Sequence, residues 1–197
     1  MMNGRNEFCD QIIYMNISFR IYYYYEYQKE VPVSGSAAYL LSCFGFPFLM
    51  AYAAVSDLLT MRISNRVTSL VLFTFVLYAL ADGMMLAELA LHIAAGCLVL
   101  AAAFVMFARG WIGGGDAKLA AGATLWLGIE YVAEYLIAAS VFGGVLTLVI
   151  LFARAYPLPM ATLRLPFAVN LHDSRTGIPY GIALAAAALT VLPHAMG

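Results

Sequence analysis

From Ala37 onward the chain alternates long apolar runs with short polar breaks. About 20 apolar residues in helical form cross the hydrocarbon core of a bilayer. On that measure the pattern predicts spanning helices over residues 37–56, 67–82, 86–108, 117–130, 132–153 and 178–195. The fourth run is short and contains glycine, so it is expected either to tilt or to join the fifth through a tight turn. Six spans are expected, with five as the alternative count. Residues 1–36 break the pattern with three basic and four acidic residues, the run Tyr22–Tyr25, and Arg20 inside the best apolar stretch. They lack the basic, apolar, small-residue order of a signal peptide. The reading is a tail over 1–36, mobile or an extension from an upstream start codon, followed by a membrane domain over 37–197.

Composition strengthens this picture. Hydrophobic residues make up 64% and charged residues 11% of the chain, and mean hydropathy is +0.87, whereas soluble domains carry about 25% charged residues. The fold class is therefore all-α, a polytopic integral membrane helix bundle of about six transmembrane helices, with the lipid bilayer as its first partner. The net charge of −1 and the absence of a basic patch interleaved with aromatics give no footing for nucleic acid. Cys9, Cys43 and Cys97 are far apart and form no CxxC pair, so neither a zinc site nor a disulfide framework is expected. No cofactor and no metal are called for.

Loop charge sets the orientation. Beyond residue 36 the basic residues are Arg62, Arg66, Arg109, Lys118, Arg154, Arg164 and Arg175, all in the first, third and fifth connections or at their helix edges. The second and fourth connections carry only Asp82, Glu88, Glu130 and Glu134. Lysine and arginine in short loops mark the cytoplasmic side, which puts both ends of the six-span unit outside.

That orientation leaves Asp57, Asp116 and Asp173 as the cytoplasmic acids. Asp57 ends the first span in "AYAAVSDLLTMRISN" and Asp116 opens the fourth in "GGGDAKLAAG". Acids at membrane depth are costly and are functional candidates by default. Two carboxylates at one site cannot both ionise cheaply, so the pair holds one proton. One then takes a proton from water while the other polarises a peptide carbonyl, which is aspartyl-type peptide hydrolysis. No HExxH, nucleophile elbow or His–Cys pairing competes. Gly113, Gly114 and Gly115 are expected to let the backbone turn sharply and a substrate strand approach closely, with Asp116 near the helix start, where the dipole favours negative charge. Taken singly, Asp116 also reads as an N-cap and Asp57 as a solvated helix end.

"SDLLTMRISN" followed some distance on by "GGGDAKL" resembles the prepilin peptidases, membrane aspartyl proteases of the GxGD type. Gly113–Asp116 match the GxGD motif, Lys118 matches a lysine common just after it, and Asp57 matches the first catalytic aspartate. "IPYGIALAAAAL", residues 178–189, is similar to the final helix of the short, pilus-assembly branch. The resemblance covers residues 37–196 and makes 37–197 a membrane peptidase domain. It implies an enzyme of the bacterial inner membrane, active site toward the cytoplasm, that removes the leader of type IV prepilins or pseudopilins just before their hydrophobic helix. Pilus-assembly machinery is an implied partner. Long members carry a cytoplasmic insertion with paired CxxC motifs, associated with N-methylation. Its absence here implies peptidase without methyltransferase activity, as in relatives serving Flp-type pili.

Other polar residues have plainer readings. His92 reads as a histidine bonded to a neighbouring helix rather than a proton relay, and His172 and Asp173 as a solvated loop. Arg62 and Arg66 read as topology anchors, Asn65 as a cap for the second span, and Pro179 as the first turn of the last helix. Lys118 suits either an anchor or a group acting on Asp116 or substrate. The alternative function is a small transporter or channel subunit, its two aspartates binding a proton or cation; a structural scaffold subunit is the third.

Overall fold

A computed structural model describes residues 34–157, 166–174 and 176–196. Apart from its last three residues the tail lies outside them, as do Arg164 and Arg175. Every regular element among the described residues is helical. Helix α1 (Ser34–Leu40) passes through a π turn (Leu41–Gly45) into α2 (Phe46–Thr60). There follow α3 (Asn65–Asp82), α4 (Leu86–Ala108), α5 (Gly114–Leu127), a 3-10 turn (Ile129–Tyr131), α6 (Val132–Arg154), α7 (Pro166–His172) and α8 (Tyr180–Met196). The π turn has a local cause. Pro47 has no N–H to give the Cys43 carbonyl and crowds it, so the helix widens there and Phe46 N–H bonds back to Leu41.

Among the described residues four stretches are long and apolar enough to cross a membrane: Ala37–Thr60, Asn65–Asp82, Leu86–Ala108 and Ile129–Arg154. The first runs past the 37–56 read from sequence, which places Asp57 inside the last turn of α2. That helix stops without a glycine. Met61 adopts a left-handed conformation (φ 53°) and its N–H bonds to the Asp57 carbonyl at 2.8 Å. The Thr60 hydroxyl bonds to the Ser56 and Arg62 carbonyls at 2.7 and 3.1 Å, closing the turn. Ser64, not Asn65, caps α3: its hydroxyl accepts from Arg66 N–H at 3.2 Å. Asn65 is already helical, so the cap falls one residue earlier than the sequence reading placed it. Pro179 likewise stands just ahead of α8 rather than in its first turn.

Contacts at the helix ends fix an alternating topology. The end of α2 and the starts of α3, α5 and α8 meet around Ile63. At the opposite end, Tyr78 of α3 touches Met196 of α8, and His92 of α4 bonds the Leu125 carbonyl of α5 at 2.7 Å. Tyr131 bonds the His194 carbonyl there, also at 2.7 Å. His92 therefore lies toward the end remote from Asp57 and is tied to a neighbouring helix.

Helix α5 is the axis of the bundle. Its 14 residues rise about 21 Å, short of a roughly 30 Å hydrocarbon core. It need not span on its own, because Leu119 to Leu127 are all buried by other helices. Alanine, glycine and threonine fill much of it, so its neighbours pack closely against the backbone. Trp126, fully buried, anchors its far end. The indole stacks on Phe46 and Tyr78 with centroids 4.8 and 5.1 Å apart, and its N–H bonds to the Val71 carbonyl at 3.0 Å. The tight turn expected between the fourth and fifth spans is made by Gly128. Its φ of 82° with ψ of 170° is a region reserved in practice for glycine, and a Cβ there would stand 3.1 Å from the His92 ring.

Candidate active site

Asp57 is delivered by a buried turn. The side chain is 5% exposed, one of few buried charged or polar groups in a bundle whose interior is otherwise apolar. Its Oδ2 accepts a 2.8 Å hydrogen bond from Gly181 N–H. Gly181 is the second residue of α8, whose first N–H groups have no intrahelical acceptor. The carboxylate thus satisfies an orphan donor, at the helix end where the dipole favours negative charge. The approach is so close that only glycine fits: a Cβ at Gly181 would lie 2.8 Å from Asp57 Oδ2 and 2.9 Å from Ile63 Cδ1.

The start of α5 brings Asp116 to the same end. The connection from α4 turns at Gly110 (φ 74°), where Arg109 lies over the Trp111 ring at 5.2 Å. The sharp turn expected of Gly113–Gly115 is therefore made earlier. Those three glycines provide clearance instead. A Cβ at Gly113 would sit 2.9 Å from Asp116 Oδ2, one at Gly114 3.3 Å from the Phe107 ring, and one at Gly115 3.0 Å from Ile63 Cβ. Ile63 is thus the common floor, touching the glycine before Asp116 and the glycine that holds Asp57.

Asp116 stands in the first turn of α5, outside the four long apolar spans, and is half-buried. Burial, and after it the charge of Asp57, push its carboxyl up to about 6, against the pull of a hydrogen bond from the Gly113 backbone. The charge of Asp57 thus acts on Asp116, in the direction expected of two acids near one another.

The remaining sequence candidates fall at the rim. The Lys118 ammonium bonds to Asn65 Oδ1 at 2.9 Å, joining α5 near its start to the first residue of α3, and both residues are exposed. That bond turns Lys118 to Asn65 and accounts for the pair. His172 closes α7, and the Asp173 backbone carbonyl accepts from Thr176 N–H at 3.1 Å. Among the described residues no three His, Cys, Asp or Glu side chains converge to hold a metal ion.

Three contributors were not evident from residue type. Gly181 sits in "IPYG", where proline at a helix start suffices as an explanation until the Asp57 contact is visible. Ile63 is an ordinary aliphatic residue. Arg154 reads as a topology anchor, but its guanidinium bonds three carbonyls, Leu171 at 2.8 Å, Thr176 at 3.2 Å and Gly177 at 3.3 Å, and so fixes the segment leading into Gly181. The glycine spacing before Asp116 was a signal; these three carried none.

A buried turn carrying one carboxylate, a glycine-cleared helix start carrying a second, and a shared apolar floor make a site suited to proton exchange with water and a peptide. Comparison with known proteins agrees with peptide chemistry. No curated protein and no solved structure matches the chain. A family model described as the type IV leader peptidase family matches residues 44–148. That stretch runs from the π turn into α6 and takes in Asp57, Asp116 and the glycines between α4 and α5; α8 lies beyond it. By this match over more than half of its length, with its apolar helices, the chain is a multi-pass membrane protein that belongs to the type IV leader peptidase family.

Proposed function

We propose that the protein is an aspartyl endopeptidase that cleaves the leader from type IV prepilins of the Flp class at the cytoplasmic membrane face, through the Asp57/Asp116 pair. The observation that carries this is that Asp57 and Asp116 stand at one end of the bundle around Ile63, which lies against Gly181, the glycine that holds Asp57, and against Gly115, the residue before Asp116. The pair holds one proton. Its ionised member takes a proton from water, whose oxygen bonds to the scissile carbonyl carbon while the protonated member donates to the carbonyl oxygen. Collapse of the tetrahedral species breaks the C–N bond as the proton gained from water passes to the leaving amine, and the proton lent to the carbonyl oxygen returns to the carboxylate that gave it as the C=O re-forms. Both groups emerge ready for a further cycle.

The cytoplasmic assignment is supported by charge. Arg62, Arg66, Arg109, Lys118 and Arg154 lie at the Asp57/Asp116 end, and Glu88, Glu130 and Glu134 at the other. The Flp class, and peptidase without N-methyltransferase activity, are supported by the lack of any CxxC pair in the sequence. Gly113–Gly115 act by clearance, with Lys118 and Asn65 as rim residues and the pilus-assembly machinery as partner. A transporter would need ionisable groups spaced along a path through the bundle. His92, the sequence candidate for mid-depth, is bonded to the Leu125 carbonyl.

The test is co-expression with an Flp-type prepilin, following leader removal by gel shift in the wild type, Asp57→Asn and Asp116→Asn. Asparagine keeps the shape and cannot ionise, so each variant leaves the precursor intact. Normal processing by either removes the dyad.

A further inference from the structure

Two apolar grooves open from α5 toward the lipid, one on each side of α4. The first, about 630 Å³, lies between α4 and α6 over a floor of α5 and α8, and includes Asp116 among its lining residues. The second, about 500 Å³, lies between α3 and α4, with Lys118 and Asn65 at its end and Cys97 in its wall. Both are lined mainly by apolar side chains, and they differ at the end that carries a charge. Only the first includes a carboxylate of the pair.

We infer that the α4/α6 groove receives the apolar helix of the substrate, the residues that follow the scissile bond, and that the α3/α4 groove does not. This deepens the peptidase reading above and rests on it. The groove is continuous with the active site at two points. Asp116 lines it directly, and Tyr180, which also lines it, is the residue before Gly181, whose N–H holds Asp57. Tyr180 is fixed by its hydroxyl against Thr147 of α6 at 3.1 Å and by its ring against Gly143. Asp116 is thus reached directly from this side of α4, and Asp57 is held by the residue that follows Tyr180 in the groove wall.

The lining also restricts the occupant. From Gly144 to Val132 the groove follows α6 for about 18 Å, more than half of the hydrocarbon thickness. An extended strand there would leave its amides without partners, so the occupant must be helical over that length. Ala102 and Ala103 on α4, Ala120 on α5 and Ser140 and Gly144 on α6 present little bulk, which lets a helix backbone come close. Asp116 at one end requires that this helix begin at the cleaved bond and run away from it toward the far membrane face.

Gly144 offers a clean test, because a Cβ placed there meets nothing within 4 Å. Gly144→Phe projects bulk into the groove from a position whose Cβ meets no neighbour, and Ser69→Phe places the same bulk in the other groove as its control. Processing of a co-expressed Flp-type prepilin is expected to fall at least tenfold in Gly144→Phe and to stay within twofold in Ser69→Phe. The second measurement is disulfide trapping with a prepilin bearing one cysteine in its apolar helix. The enzyme is the uncleaving Asp116→Asn form with Cys9 and Cys43 replaced by serine. Gly144→Cys in a Cys97→Ala background is expected to cross-link, and native Cys97 is not. Wild-type processing by Gly144→Phe, or cross-linking through Cys97 as strongly as through position 144, overturns the inference. If Gly144→Phe does not accumulate in the membrane, the trapping result decides alone. Failure of the peptidase reading is seen separately, as normal processing by Asp57→Asn or Asp116→Asn.

Discussion

Replacing Gly181 by alanine tests whether the start of α8 holds Asp57 in its working position. The new methyl carbon would lie 2.8 Å from Asp57 Oδ2, 2.9 Å from Ile63 Cδ1 and 3.0 Å from Asp57 Cβ, where ordinary contact begins at 3.4 Å. Restoring that contact needs about 0.6 Å of separation between α8 and the carboxylate, which lengthens the 2.8 Å hydrogen bond to about 3.4 Å, beyond the ~3.2 Å at which an N–H···O bond is effective. Loss of a hydrogen bond to a charged, buried acceptor costs about 1.5–3 kcal/mol. A catalytic group misplaced by about 1 Å can cost on the order of 100-fold in rate. Gly181→Ala is therefore expected to lower prepilin processing by at least about tenfold while the protein still inserts and accumulates, because the clash is confined to one turn. Processing rates in detergent or liposomes, beside a thermal melt, separate the two effects. Processing within twofold of wild type would refute the argument, since it would mean that Asp57 does not need the Gly181 N–H.

Two further outcomes follow from the site. Asp116 is protonated below a value of about 6, so the singly protonated pair is lost as pH rises. Between pH 6 and pH 8 its population, and with it kcat/KM, is expected to fall about 50-fold; a flat profile over that range would contradict the shared proton. Lys118→Met removes the bond to Asn65, an exposed polar contact worth about 1 kcal/mol or less, so cleavage is expected to change less than about fivefold, and a loss like that of Asp116→Asn would move Lys118 into the chemistry.

Much of this was legible in the sequence because membrane helices announce themselves by length. The apolar runs located the helices, and the Arg and Lys residues of alternate connections marked one end of the bundle before any contact was known. The two aspartates stood out because each is a charge at the edge of an apolar run. What could not be read depends on approach between distant segments. Met61 terminates α2 in a left-handed conformation that favours glycine, so no residue type announced the stop. Gly181 and Asp57 are far apart in the chain, and their contact exists only because α8 packs against α2. The turn assigned to Gly113–Gly115 belongs to Gly110, since adjacent glycines do not reveal which of them leaves the ordinary backbone region.

The burial of α5 bears on how the protein is made. A short segment with an aspartate in its first turn and a lysine just after it is a poor candidate to stand by itself in lipid, and it gains its stability from the helices that enclose it. Those include α6 and α8, which are synthesised later. Asp57 can enter the bilayer early, on a long apolar helix, but Asp116 takes its place only when the whole bundle has closed. On the dyad reading, a partly assembled chain has one carboxylate and no partner for it. It cannot hydrolyse the apolar segments of other nascent proteins around it, and hydrolytic capacity becomes a property of completed assembly alone.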